Sequence, residues 1–277
     1  MWPFDRSNHV IRLGREGVER WGRHGMGWLR HDAEVVESPD SAALGLAIKT
    51  LLARATKDSK HPLSRDLDLV AESAWMPVIT LDVGVTVLTH AETERYARHR
   101  IADVYGSGQA RGGEGWDVYL DYRIGERGGL AYALEKTVKA TVLNAAEQAT
   151  GRRSRSLQPG YAWGQVQLQR QLPKRGWWVW FELDRTIVGH HVRGRVLALN
   201  AGAARPRDAA QVLRLVRAEA ARHGLDASLP ITVSGWSGSD FVPAARLPDS
   251  LSTAFVAGPN AAARTDAQAH VLEGSAT

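Results

Sequence analysis

The residues of this chain that carry phosphate chemistry in other proteins are gathered in one short stretch, Leu81-Asp82-Val83-Gly84-Val85-Thr86. Asp-x-Gly-x-Thr sets a carboxylate, a residue without a side chain and a hydroxyl along one extended segment, which suits either a close approach to phosphate or an aspartyl nucleophile. A phosphatase built on that nucleophile wants a second Asp two positions on as general acid, and Gly84 stands there. The expectation is a bend in a strand, with a nucleotide-binding weak ATPase or a metal-dependent phosphoryl hydrolase using Asp82 as the enzymatic alternative.

Other candidate constellations are weaker. Asp82, Asp117, Asp121 and Asp184 lie on or beside expected strands, where a two-metal nuclease would want converging carboxylates, but spacing alone does not bring them together. His190 and His191 are adjacent on an expected strand and so point to opposite faces, which speaks against one shared metal ion. The run 106–115 holds five glycines yet lacks the Lys-Ser/Thr ending of a phosphate loop and leads into a strand. In Ser234-Gly235-Trp236-Ser237-Gly238 the glycine directly follows Ser237, so the hydrolase elbow Gly-x-Ser-x-Gly is not formed.

Two groups could serve binding. Trp178 and Trp180 share one face of an expected strand, with Trp177, Val179 and Phe181 on the other, so the segment reads as a strand covered on both sides; the alternative is an aromatic groove for a partner. Arg152, Arg153 and Arg155 form the dense basic cluster, a candidate partner or phosphate site. The chain has 35 basic and 30 acidic residues, a net charge of +5 and a pI near 9.7. Most of the basic residues are interspersed with acids, which argues against nucleic acid as the main partner and leaves it a further alternative.

Positioning these residues falls to a regular alternation of elements. A hairpin is expected over 9–13 and 17–21 around Gly14-Arg15-Glu16-Gly17. The spacing of Leu44, Ile48, Leu51 and Leu52 predicts a helix over 41–55, capped by Asp40 or Ser41. Strands are expected over 66–72, 78–90, 116–123 and 129–134, and helices over 93–105 and 135–150. A short strand at 155–157 and a helix over 161–171 precede a three-strand meander over 177–183, 186–192 and 195–200. A helix over 208–223 stopped by Gly224 then feeds a strand at 230–234. The segment from 258 on is small, polar and aperiodic, and a flexible tail is expected there.

At 277 residues without a single cysteine, the chain is long enough for one or two ordinary cores and has neither disulfides nor thiolate metal sites. The first 28 residues carry charges every few positions, unlike a secretory signal, and no apolar run reaches eighteen residues. The expected location is the cytoplasm, peripheral to the inner membrane at most.

A β-hairpin start, a three-strand meander and a helix feeding a strand with a glycine-rich end is the order of an RNase H-like or actin-like subdomain, and here it occurs twice. Together with the segments 156–163, 176–185 and 198–203, this order resembles bacterial proteins similar to the actin-like PilM of type IV pili and the cytoplasmic part of GspL in type II secretion. The resemblance implies an α/β fold of two RNase H-like or actin-like subdomains, each a mixed sheet flanked by helices. These are placed at 1–160 and 161–257, with a tail at 258–277. It also implies a scaffold that binds the short cytoplasmic tail of an inner-membrane assembly protein and couples it to a motor ATPase. Active actin-like ATPases carry Asp-x-Gly in each phosphate hairpin. This chain instead has Arg12-Leu13-Gly14 in the first and Phe181-Glu182-Leu183-Asp184-Arg185 in the second. No catalytic residue, metal or obligatory cofactor is therefore expected, and residual ATP binding would fall near Gly14, Gly235 and Gly238.

Overall fold

The structure is a computed structural model and describes residues 9–24, 27–38, 40–58, 67–81, 88–105, 115–121, 129–151, 156–182, 185–192, 195–203, 206, 208–236 and 251–255. Two five-stranded sheets and one three-stranded sheet organise it.

The first sheet has the order β3-β2-β1-β4-β8, from β1 (His9–Leu13), β2 (Gly17–His24), β3 (Gly27–Val35), β4 (Leu67–Ala71) and β8 (Ser156–Pro159). The first three strands form an antiparallel meander, while β4 runs parallel to β1 and β8 parallel to β4. Parallel strands need crossovers and helices over the sheet. Here α1 (Ser41–Asp58) and α3 (Lys136–Thr150) pack together on one face, burying Leu44, Ile48, Leu51, Leu52, Val138 and Val142 against Ile11, Leu13 and Leu69. Asp40 caps α1, its Oδ1 accepting from the Ala43 N–H at 2.8 Å.

The second sheet repeats the order as β11-β10-β9-β12-β13, from β9 (Arg175–Phe181), β10 (Thr186–Val192), β11 (Arg195–Ala203), β12 (Ile231–Gly235) and β13 (Leu251–Phe255). Its outer face is covered by α5 (Ala209–His223) through Val212, Val216 and Ala220. Asp208 accepts from the Gln211 N–H, and Gly224 closes the helix at φ 62°. Between the two sheets lies an aromatic layer of Trp21, Trp28, Trp163, Trp178, Trp180 and Trp236, joined by Tyr161 from α4 (Gly160–Leu168).

The third sheet, antiparallel β5-β7-β6, consists of β5 (Val78–Leu81), β6 (Trp116–Asp121) and β7 (Gly129–Glu135), with α2 (His90–Tyr105) packed on it through Ala97 and Ile101.

The structure corrects the sequence expectation in three places. The strand expected to run to His90 ends its described part at Leu81, and His90 already opens α2. The signal was a capping box: the Thr89 N–H and hydroxyl donate to Glu92 Oε2, and the Glu92 N–H donates to Thr89 Oγ1. The strand expected over 66–72 is present as β4, with all five of its residues buried, Asp68 among them. Two strands have no counterpart in the expected elements. β3 is an edge strand whose charged Arg30, His31, Asp32 and Glu34 mask its period, and β13 is a five-residue strand completing the second sheet.

Candidate functional site

In open α/β sheets ligands gather at the carboxyl ends of the parallel strands. In this chain the ends of β1, β4, β8, β9 and β12 bring together Gly14, Glu72, Ser73, Gly160, Glu182 and Trp236, where the two sheets meet.

The first hairpin supplies a buried guanidinium. Arg12 donates from Nε to Glu72 Oε1 at 2.7 Å and from Nη1 to Glu19 Oε2 at 2.6 Å, and its Nη2 also pairs with Glu72. The Glu72 side chain is completely buried. Burial works against the Arg12 charge, but Glu72 and Glu19 outweigh it and hold the guanidinium more firmly protonated than usual. Burial likewise opposes ionisation of Glu19, and Arg12 with the Trp21 indole overrides it, so its carboxyl sits below the usual range. The Arg12 guanidinium also lies 5.5 Å from the Trp236 ring centroid, tying the ion cluster to the aromatic layer.

The second hairpin supplies Glu182, which reaches out of its own sheet. Its Oε2 accepts from the Ser73 N–H at 2.8 Å and from the Ser73 hydroxyl, so it joins the end of β9 to the end of β4. The Glu182 residue is 1% exposed. Burial first, and the nearby Glu72 charge second, push its carboxyl up to about 8. It lies beside Gly160, where a Cβ would stand in ordinary contact at 3.5 Å from Glu182 Oε1 and 3.8 Å from Trp180 Nε1.

The site residues read from the sequence fare unequally. Gly14 and Gly235 do lie at strand ends, yet the space beside each is filled by the chain itself. A Cβ on Gly14 would meet Glu72 Oε2 and the Gly17 carbonyl at 3.3 Å, and one on Gly235 would meet the Phe181 carbonyl at 2.9 Å. Arg12 is engaged by the carboxylates of Glu72 and Glu19, and one further carboxyl, that of Glu182, lies near them. The phosphates of a nucleotide call for open backbone N–H groups and uncommitted cations; the Gly14 N–H is taken by the Gly17 carbonyl.

Trp178 and Trp180 need correction as partner-binding residues. They are 1% and 0% exposed and packed inside the aromatic layer, as expected for a strand covered on both sides. Asp117 is bonded to Lys139 at 2.6 Å. His190 and His191 are both buried on opposite faces of β10, and burial lowers the basicity of each. Arg152, Arg153, Arg155, Gly238, Ser237, Asp82 with Gly84 and Thr86, Asp184 and the tail from 258 lie outside the described residues.

Sequence reasoning missed Arg12, Glu72, Ser73 and Glu182 as a group. Each is an ordinary residue directly at or after a strand, separated by up to 170 positions in the chain and brought together only by strand order. The available signal was the turn itself: Glu182 occupies in the second hairpin the position that Gly14 occupies in the first.

This arrangement defines the class of the protein, an actin-like fold. The chain is similar to the protein of a solved PilM-PilN type IV pilus biogenesis complex, at 14% identity over 90% of this chain and 88% of that one, with a TM-score of 0.53. It is also similar to the cytoplasmic domain of EpsL, an inner-membrane component of the type II secretion system of Vibrio cholerae. That match has 11% identity, coverage of 95% and 94%, and a TM-score of 0.49. A Bacteroides thetaiotaomicron protein with an actin-like ATPase fold matches at 10% identity over 92% and 94%, with a TM-score of 0.47. No protein-family model and no curated protein matches the chain. Among the described residues no helix is long and apolar enough to cross a membrane.

Proposed function

We propose that this chain is a catalytically degenerate actin-like scaffold that binds the cytoplasmic tail of an inner-membrane partner in a type IV pilus or secretion-type assembly. The observation that carries the reading is the closure of the strand-end site by the chain's own side chains. Glu182 spans to Ser73, and Arg12 is held by Glu72 and Glu19, so the two sheets are joined directly by the chain's own side chains. The fold shared with the protein of the pilus complex supports the assembly context. In this reading 1–160 and 161–257 are the two subdomains, each built on one of the five-stranded sheets, and a motor ATPase is a second partner.

The test has two parts. The full chain is incubated with synthetic cytoplasmic tails of membrane proteins encoded beside it, and at least one tail is expected to co-purify; failure with every tail removes the scaffold reading. In parallel, thermal unfolding is followed with millimolar Mg-ATP or Mg-ADP. A ligand of the native state would raise the midpoint by mass action. No shift is expected, and a clear shift would return the chain to the nucleotide-binding actin-like proteins and call for a turnover assay.

A further inference from the structure

Glu182 joins the two sheets, and among the described residues no cation bonds to it; the Arg12 charge reaches it but is outweighed by burial and by Glu72. It is 1% exposed and, among the described residues, receives hydrogen bonds only from the neutral N–H and hydroxyl of Ser73. The cation nearby, Arg12, is committed to Glu72 and Glu19. Glu182 Oε1 accepts no hydrogen bond among the described residues. It faces the Gly160 position together with the Ala71 carbonyl and Trp180 Nε1. A carboxylate in such a place would be buried unpaired, which is strongly unfavourable, whereas a carboxylic acid needs no counterion and leaves one oxygen to carry the proton.

We propose that Glu182 closes the seam between the two sheets as a neutral carboxylic acid, so that the closure is held by a proton and released when that proton is lost. The carbonyl oxygen of the acid, Oε2, takes both Ser73 hydrogen bonds, and Oε1 carries the hydrogen. On ionisation the carboxylate faces the buried Glu72 with Arg12 already engaged, and the way to relieve this is for the Glu182 side chain to part from Ser73 and for water to enter the seam. Among the described residues, the other charged or titratable groups near it are Arg185 on its own turn and Tyr105 from α2, over whose ring Arg185 lies at 5.9 Å. Asp184 of the same turn lies outside the described residues. Burial raises the Tyr105 phenol, so it does not titrate near neutrality.

The direction of the effect follows from linkage. A carboxyl raised from 4.5 to about 8 in the folded state stabilises the fold fully below its unfolded value. That contribution is lost as pH rises, until it is gone above about 8. The two buried histidines are lowered below 6.5 and the chain has no cysteine, so the comparison of wild type with Glu182→Gln between pH 6.5 and 8 separates Glu182 from the remaining histidines.

The experiment is denaturant unfolding of the full chain and of Glu182→Gln at closely spaced pH values from 6.5 to 9, with tryptophan emission recorded on the native protein at each pH. Wild type is expected to lose stability up to about pH 8, its unfolding constant rising by up to about tenfold per pH unit, and then to level off. Its native emission is expected to shift to longer wavelength over the same interval as Trp180 and Trp236 meet water. Gln is a neutral isostere, so Glu182→Gln is expected to show neither change, which also controls for the terminal amine. Equal pH slopes in the two proteins overturn the proposal. So does a wild type that is flat from 6.5 to 8, or a stability change without the emission shift. Should Glu182→Gln fail to fold, Glu72→Gln decides: removal of that charge is expected to bring the plateau to lower pH, and an unmoved plateau overturns the proposal.

Discussion

The two five-stranded sheets have the same strand order and their first hairpins the same register, yet they spend the same positions differently. In the first, Arg12 stands opposite Glu19 and forms an ion pair; in the second the matching pair is Trp180 opposite Ile187. Both turns close alike, by Gly14 N–H to the Gly17 carbonyl and Glu182 N–H to the Arg185 carbonyl. The residue that begins the turn is a glycine in one and a long carboxylic acid in the other. After the parallel strand comes Glu72 in the first sheet and Trp236 in the second. The first sheet thus presents charge to the seam and the second mostly presents indoles, and the halves meet where Arg12 lies over Trp236 and Glu182 reaches Ser73. A repeated topology fixes where positions fall, while the side chains chosen for them decide whether the cleft between the halves is open to a ligand or closed on itself.

The strongest way to break this asymmetry is to remove the charge of the first sheet. Arg12→Ala leaves Glu72 buried without its cation, and an expected loss of about 3–5 kcal/mol should be measured by denaturant unfolding. A loss below 1 kcal/mol would mean that the ion cluster does not hold the seam. The glycines at the strand ends sharpen the comparison at a smaller scale. Gly235→Ala drives a methyl into the Phe181 backbone carbonyl and is expected to cost about 1–3 kcal/mol. Gly14→Ala meets a movable Glu72 carboxyl as well as the Gly17 carbonyl, at a less severe 3.3 Å, and is expected to cost less. The reverse order would show that the first turn, not the second, is the tighter packed.

The smallest effect concerns β2 and β10. Arg23 in β2 is exposed at the position matched in β10 by His191, which is 3% exposed. Burial, with His190 beside it, lowers His191 to about 4. A group lowered from 6.5 in the folded state contributes stability that is intact above 6.5 and is lost progressively as pH falls toward 4. His191→Leu is expected to flatten this acid limb in a thermal-unfolding series from pH 7 to 4. An unchanged limb would assign acid sensitivity elsewhere.

Much of the fold was legible in the residues. The helix over Ser41–Asp58 follows from Leu44, Ile48, Leu51 and Leu52, and α5 from its Asp208 cap and Gly224 stop, because these signals act within a few residues. The double cover of β9 was legible too, since Trp177 and Trp178 alternate with equally apolar neighbours. What escaped was short or diluted: β3 with one buried tryptophan among charges, β13 with five residues, and the Thr89–Glu92 box hidden behind a β-branched run.

The amino-acid sequence by itself determined the class of architecture, the absence of thiol chemistry and the departure of both hairpins from Asp-x-Gly, since these depend on residue type and on periods of two to four positions. Only the tertiary structure decided that Glu182 meets Ser73 and that Glu72 fills the space beside Gly14. Those contacts join strands far apart in the chain, and which side chains meet across a seam is set by strand order and sheet packing, which no local pattern encodes.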